Sequence, residues 1–164
     1  MRAGHRSRAK ADPMTQTPQP VAFSGCGSAA SSFQRSVTSS LTVEEVVTRL
    51  KQGIIAADLW ILHEIDPQML LSRGGFAIGP ARQVLFFHPR LMSRLLTADS
   101  AALLEAPLKF AVIGFPDGQA ELRWLDPAMA FARYRSPALT ELGNELAGLC
   151  EGIVNGIDLA GTSK

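Results

Sequence analysis

At 164 residues and 17.6 kDa the chain is long enough for one ordinary domain and too short for two full ones. Its 46% hydrophobic and 19% charged residues exclude wholesale disorder, and a formal net charge of +1 gives no electrostatic case for nucleic acid or an anionic membrane as partner. No apolar run approaches the ~20 residues of a spanning helix, and the most apolar windows carry His63, Glu64, His88 and Arg90.

Residues 1–30 stand apart. Arg2, Arg6, Arg8 and Lys10 against Asp12 make this segment +3, which leaves the remaining 134 residues at −2. The basic stretch runs into Thr15-Gln16-Thr17-Pro18-Gln19-Pro20 with no apolar core between, so it is no secretory signal. It reads as a disordered basic, then Pro/Gly/Ser-rich tail, with Met14 as a second candidate start, ahead of a single α+β domain over residues 31–160. Cys26 and Cys150 are the only cysteines; a disulfide framework is not expected, a cysteine-only metal cage is impossible, and a cytoplasmic location fits best.

From Phe33 to Ser39 the residues alternate as a strand. Thr42 and Glu45 then form a capping box, with Leu41 stapled onto Val46, and Val43, Val46, Val47, Leu50 and Ile54 follow at helical spacing. Leu59 to Ile65 is a β-rich run stopped by Asp66-Pro67. A short helix over Gln68 to Ser72 precedes a flexible Gly74–Gly79 connection, which lacks the strand-to-helix setting of a dinucleotide loop. Ala81 to His88 is a strand halted by Pro89, and Arg90 to Leu104 reads as one or two short helices broken near Asp99-Ser100. Leu108 to Phe115 and Ala120 to Leu125 are strands joined by the turn Pro116-Asp117-Gly118-Gln119, and Asp126-Pro127 ends the hairpin. The last long helix starts with Ser136 as N-cap and Pro137 at its first position.

The expected fold is an α+β core in the order β-α-β-β-β-β-α, an antiparallel sheet of about five strands backed by helices, with short inserted helices. The strands at 59–65, 81–88 and 108–115 are apolar on both alternating sets, which a sheet with one solvated face does not need. A second copy of the subunit is the economical cover for the second face, so a two-fold homodimer is expected.

The succession Glu64-Ile65-Asp66, Arg82-Gln83-Val84-Leu85-Phe86-Phe87-His88-Pro89, Ala106-Pro107-Leu108-Lys109-Phe110-Ala111-Val112, the hairpin and Asp126-Pro127 resembles the domain of unknown function 302 family over roughly 33–159. The resemblance implies a small antiparallel sheet backed by helices in a two-fold dimer. It implies no established activity; members look like small binding or accessory proteins, some associated with sulfur and redox metabolism or stress. This chain departs from the pattern at three places: His88 stands where Asn is usual, Ala106 where Leu is usual, and Leu108 where many members carry Cys. No thiol role carries over to that last position.

Candidate ligand-binding residues lie at strand ends: Arg82, His88, Lys109 and Asp126, placed to line one elongated cleft for a small anionic ligand. His88 is suited to titrate or to donate to an anion, or else to hydrogen-bond within its turn. Lys109 is suited to pair with Glu64 or Asp126, or to hold the anion. His63 faces away from Glu64 and Asp66 in a strand, so no metal site is expected there, and no nucleophile constellation or cofactor motif appears. The reading is a non-enzymatic homodimeric binding or accessory protein. Its alternatives are a small enzyme using His88 as acid or base with Lys109 steadying an anion, and a scaffold without ligand. Gly148, Gly152 and Gly156, four apart in the last helix, point either to close packing on the sheet or across a dimer axis, or to fraying. Cys150 reads as a small apolar filler.

Overall fold

The computed structural model describes residues 17–23, 32–157 and 159. Its elements in chain order are β1 (Gln19–Pro20), β2 (Gln34–Ser39), α1 (Val43–Ala56), β3 (Trp60–Ile65), α2 (Pro67–Arg73), β4 (Phe76–Ala77), β5 (Ala81–Phe87), α3 (Pro89–Ala98), a 3-10 helix (Ser100–Glu105), β6 (Leu108–Gly114), β7 (Ala120–Leu125), α4 (Pro127–Ala132) and α5 (Pro137–Gly156). Five strands form one antiparallel sheet in the order β2-β7-β6-β5-β3, so the α+β class and the β-α-β-β-β-β-α core stand as expected.

The local signals act as their chemistry requires. Thr42 Oγ1 accepts the Glu45 amide at 3.3 Å while Glu45 Oε2 accepts the Thr42 amide at 2.9 Å, closing the capping box of α1. In the β6–β7 turn Asp117 Oδ1 accepts the Gln119 amide at 3.0 Å, and Gly118 takes φ of 85°, which a side chain would strain. Four helices begin with a proline behind a side-chain cap: Asp66 for α2, His88 for α3, Asp126 for α4 and Ser136 for α5.

Two elements differ from expectation. Residues 17–23 do not stand apart from the fold: the Gln19 amide reaches the Gly75 carbonyl and the Val21 amide the Ala77 carbonyl, each at 2.8 Å, so β1 pairs in parallel with β4. The Gly74–Gly79 stretch is therefore a docking edge as well as a connection. Asp126-Pro127 does more than end the hairpin, since it caps and opens α4. The Arg-rich leader, Met14 and Cys26, and with it any bridge to Cys150, lie outside the described residues.

One face of the sheet carries Val84, Phe86, Phe110, Val112, Leu122 and Trp124, which join the buried residues of α1, α3, α4 and α5 in a single core. Phe86 stacks on Phe110 with ring centroids 4.8 Å apart, and Phe110 meets Trp124 edge-on at 5.8 Å. On the opposite face Gln83, Leu85, Ala111, Ile113 and Arg123 stay half-exposed and Lys109, His63 and Leu125 exposed. That face mixes apolar and charged residues, a less greasy surface than the sequence alternation alone implies.

The glycine row of α5 makes no close approach within the chain. The helix runs through Gly148 and Gly152 to Gly156, and an added Cβ at any of the three would meet nothing within 4 Å. Close approach occurs instead at Gly143, where a Cβ would sit 2.8 Å from Phe131 Cβ and 3.0 Å from the Pro127 carbonyl oxygen of α4.

Candidate functional site

The four residues singled out in the sequence do not share a cleft. The β5–β6 register pairs Arg82 with Val112 and Phe86 with Leu108, which places Arg82 at the opposite end of the sheet from His88 and Lys109. Arg82 is only 19% exposed and is taken up by carboxylates: Asp66 at 3.0 Å, Glu44 at 3.7 Å and Glu64 at 3.9 Å, with Lys51 adding 2.7 Å to Glu64. That arrangement ties α1, β3 and β5 together and surrounds the guanidinium with carboxylates, whose charge disfavours an added anion there.

His88 ends β5 and caps α3. Its Nδ1 accepts the Arg90 amide at 3.1 Å, so the neutral ring carries its proton on Nε2, and its edge meets Trp60 at 5.3 Å. The helix-capping bond, rather than a turn carbonyl, is what holds this histidine. Among the described residues no three His, Cys, Asp or Glu side chains gather as metal ligands. A bulge does interrupt β3, between Ile61 and His63, but it falls before His63, which still faces away from Glu64.

Asp126 is 6% exposed. Its Oδ2 takes Arg35 Nε at 3.1 Å and Nη2 at 2.9 Å, and its Oδ1 takes the Ala128 amide at 2.9 Å. Lys109 therefore pairs with neither Asp126, held by Arg35, nor Glu64, held by Lys51; it stands exposed opposite Leu85.

What Lys109 and Asp126 do share is a region at the end of the sheet. A cavity of about 160 Å³ is lined by Leu104, Glu105, Pro107, Leu108, Lys109, Trp124, Leu125, Pro127, Ala130, Phe131 and Cys150. Beside it a hollow of about 270 Å³ lies among Phe33, Leu125, Asp126, Met129, Ala130 and Arg133, sharing Leu125 and Ala130 with the first. Phe33, Leu125 and Met129 are each about half exposed and Leu104 is 88% exposed, a concentration of apolar surface that a monomeric exterior does not require. Glu105 borders the cavity, with Oε1 accepting Tyr134 Oη at 2.9 Å and Arg133 Nη2 at 2.9 Å. Burial first, and Glu105 second, push the Tyr134 hydroxyl above its ordinary value. Burial also pushes the Cys150 thiol up to about 12, with Asp126 and Glu151 adding to the effect, so Cys150 is a neutral wall of the cavity.

Sequence reasoning did not pick out Glu105, Arg133, Tyr134 or Arg35. The one available signal was Asp126-Pro127 followed by Ala, Met, Ala and Phe, an N-cap with proline at the first helical position, which foretells α4 and the wall it builds.

Residues 35–157 match the family described as "Domain of unknown function DUF302". Among solved structures the chain is similar to the crystal structure of an uncharacterized conserved DUF302 protein from Bacillus stearothermophilus, at 18% identity and a TM-score of 0.70, over 76% of this chain and 98% of that one. At that identity the likeness is one of fold. No curated protein matches the chain.

Proposed function

This chain belongs to the DUF302 family, and from that premise we propose that it is a homodimeric accessory protein that binds a small anion in the cavity bordered by Lys109. The observation that carries the reading is the contrast among the cations at that end of the sheet. Arg35 and Arg133 are neutralised by Asp126 and Glu105, whereas Lys109, exposed on the outer face where β6 borders an apolar cavity, has no carboxylate partner among the described residues. Concave apolar walls with a few directed polar groups are the usual makings of a small-molecule site.

The homodimer is supported by the outer sheet face, where Leu85, Ala111 and Ile113 lie half-exposed beside exposed Trp60 and Leu125. Among the described residues no helix is long and apolar enough to cross a membrane, and the buried free thiol of Cys150 fits the reducing cytoplasm. A link to sulfur or redox metabolism would run through the bound molecule, because Leu108 offers no thiol and Cys150 is shielded.

The probe that tests the site is 8-anilinonaphthalene-1-sulfonate, an apolar monoanion whose fluorescence rises in dry surroundings. The intact protein is expected to enhance its emission, and Ala130→Phe, which fills the space shared by the two hollows, is expected to abolish the enhancement while leaving thermal unfolding intact. Equal emission from the filled variant would remove the site.

A further inference from the structure

The smaller, two-stranded sheet carries a chemistry of its own. Among the described residues β1 is the strand partner of β4, whose Gly75 and Ala77 carbonyls, each at 2.8 Å, accept the Gln19 and Val21 amides. The edge itself is held by other parts of the fold. The Gly74 amide closes α2 on the Leu71 carbonyl, Gly75 turns the chain at φ of 82°, and Gln68 Nε2 donates to the Ile78 carbonyl at 3.2 Å.

The segment over residues 17–23 is shaped for that edge. Successive amides of an extended chain point to opposite sides, so Pro18 and Pro20 alternate with the two donors and lie turned away from β4, where a missing N–H costs no pairing. Proline also keeps its neighbours extended ahead of docking, which lowers the cost of ordering them. Phe23, two residues past the second donor, is the anchor. It is half-buried, and a Cβ on Gly79 would lie 3.2 Å from its Cε2, so the bare glycine makes the seat. Residues 17–22 are exposed, so backbone pairing and one ring do the holding. Edge and occupant are separate parts of the chain: β4 lies within 35–157, which matches the family, whereas residues 17–23 precede it.

We infer that the edge over residues 75–79 is a peptide-docking site, filled in cis by residues 17–23, and that its ligand in trans is an extended segment of another protein with the pattern Pro-x-Pro-x-x-Phe. The peptide adds as a parallel strand, with two amides on the Gly75 and Ala77 carbonyls and its ring on Gly79. The edge lies where β5 begins and β6 ends, the far end of the sheet from the cavity, and docking there is independent of what the cavity holds.

The probe is a fluorescein-labelled peptide of residues 15–24, read by anisotropy against the intact chain and against an intact chain carrying Val21→Pro and Phe23→Ala. Those changes strip one donor and the anchor from an exposed segment, so the circular dichroism spectrum is expected to stay unchanged. The doubly substituted chain is expected to bind the peptide, and the unaltered chain about tenfold more weakly, because its own segment competes at a roughly millimolar effective concentration. Placing Val21→Pro or Phe23→Ala in the peptide instead is expected to weaken its binding to the doubly substituted chain by about tenfold. In the unaltered chain, excess peptide is expected to quicken hydrogen exchange at the Gln19 and Val21 amides. No binding to the doubly substituted chain, equal binding to both chains, or a peptide indifferent to Val21→Pro would overturn the docking site. Unchanged exchange under saturating peptide would overturn it without any variant.

Discussion

Gly143 and Gly148 lie five residues apart in α5 and have opposite reasons to be glycine. A methyl at Gly143 would press into Phe131 Cβ and the Pro127 carbonyl at 2.8 and 3.0 Å, and both belong to backbone-anchored atoms of α4 that have little room to yield. Gly143→Ala is expected to cost about 1–3 kcal/mol in a urea melt, the range of an overpacked core. Gly148 faces open space, so Gly148→Ala is expected to raise stability by about 0.5–1 kcal/mol through helix propensity and a less flexible unfolded chain. Cys150 makes a second residue-scale prediction. Its thiol sits at about 12 in the fold against an ordinary 9.0, so the folded chain holds that proton over a range where the unfolded chain has released it. Its contribution to stability is complete below pH 9 and is lost as pH climbs toward 12. Iodoacetamide at pH 8 is expected to leave the Cys150 peptide unmodified in native protein and to label it after unfolding in urea, as read by mass spectrometry.

At the scale of elements, the capped helix starts carry the argument. Thr42→Ala removes the acceptor for the Glu45 amide and is expected to cost about 1 kcal/mol. Hydrogen bonds from the Thr42 amide and hydroxyl hold the Glu45 carboxyl below its ordinary value. The capping box therefore stabilises α1 above the usual carboxylate range and fades as pH falls through the lowered value, and the pH dependence should diminish in Thr42→Ala. His88 follows the same logic. The family resemblance makes Asn usual at this position, and the structure supplies a reason that both residues satisfy: each presents an acceptor to the Arg90 amide at the start of α3. His88→Asn is expected to leave stability within about 0.5 kcal/mol, whereas His88→Leu forfeits the cap and should cost about 1 kcal/mol in the same melt.

At the scale of the whole molecule the proposed homodimer makes its own prediction. Sedimentation at micromolar concentration is expected to give twice the chain mass of 17.6 kDa. Leu85 is the residue to change, since it sits on that face with Lys109 directly opposite in the register. A glutamate there can pair with Lys109 inside one subunit, so Leu85→Glu should fold with an unchanged circular dichroism spectrum yet sediment as a monomer. A wild-type monomer, or a dimer indifferent to this charge, would remove the outer face as the interface.

Much of the fold was legible because it rests on local rules. Hydrophobic periodicity, the Thr42–Glu45 box, the Asp117-Gly118 turn and proline-started helices all act within a few residues, and together they lead to five antiparallel strands in the observed class. The site was only partly legible. Lys109 and Asp126 were recognisable as strand-end charges, but Arg82 lies at the far end because antiparallel register, not chain order, decides which strand ends meet. Ion-pair partners 91 residues apart, such as Arg35 and Asp126, exist only once the sheet and α4 have closed. The cavity wall is likewise drawn from the 3-10 helix, β6, β7, α4 and α5. Local backbone preference is written residue by residue; which charges find an opposite partner and which stay unpaired is a property of how distant segments pack.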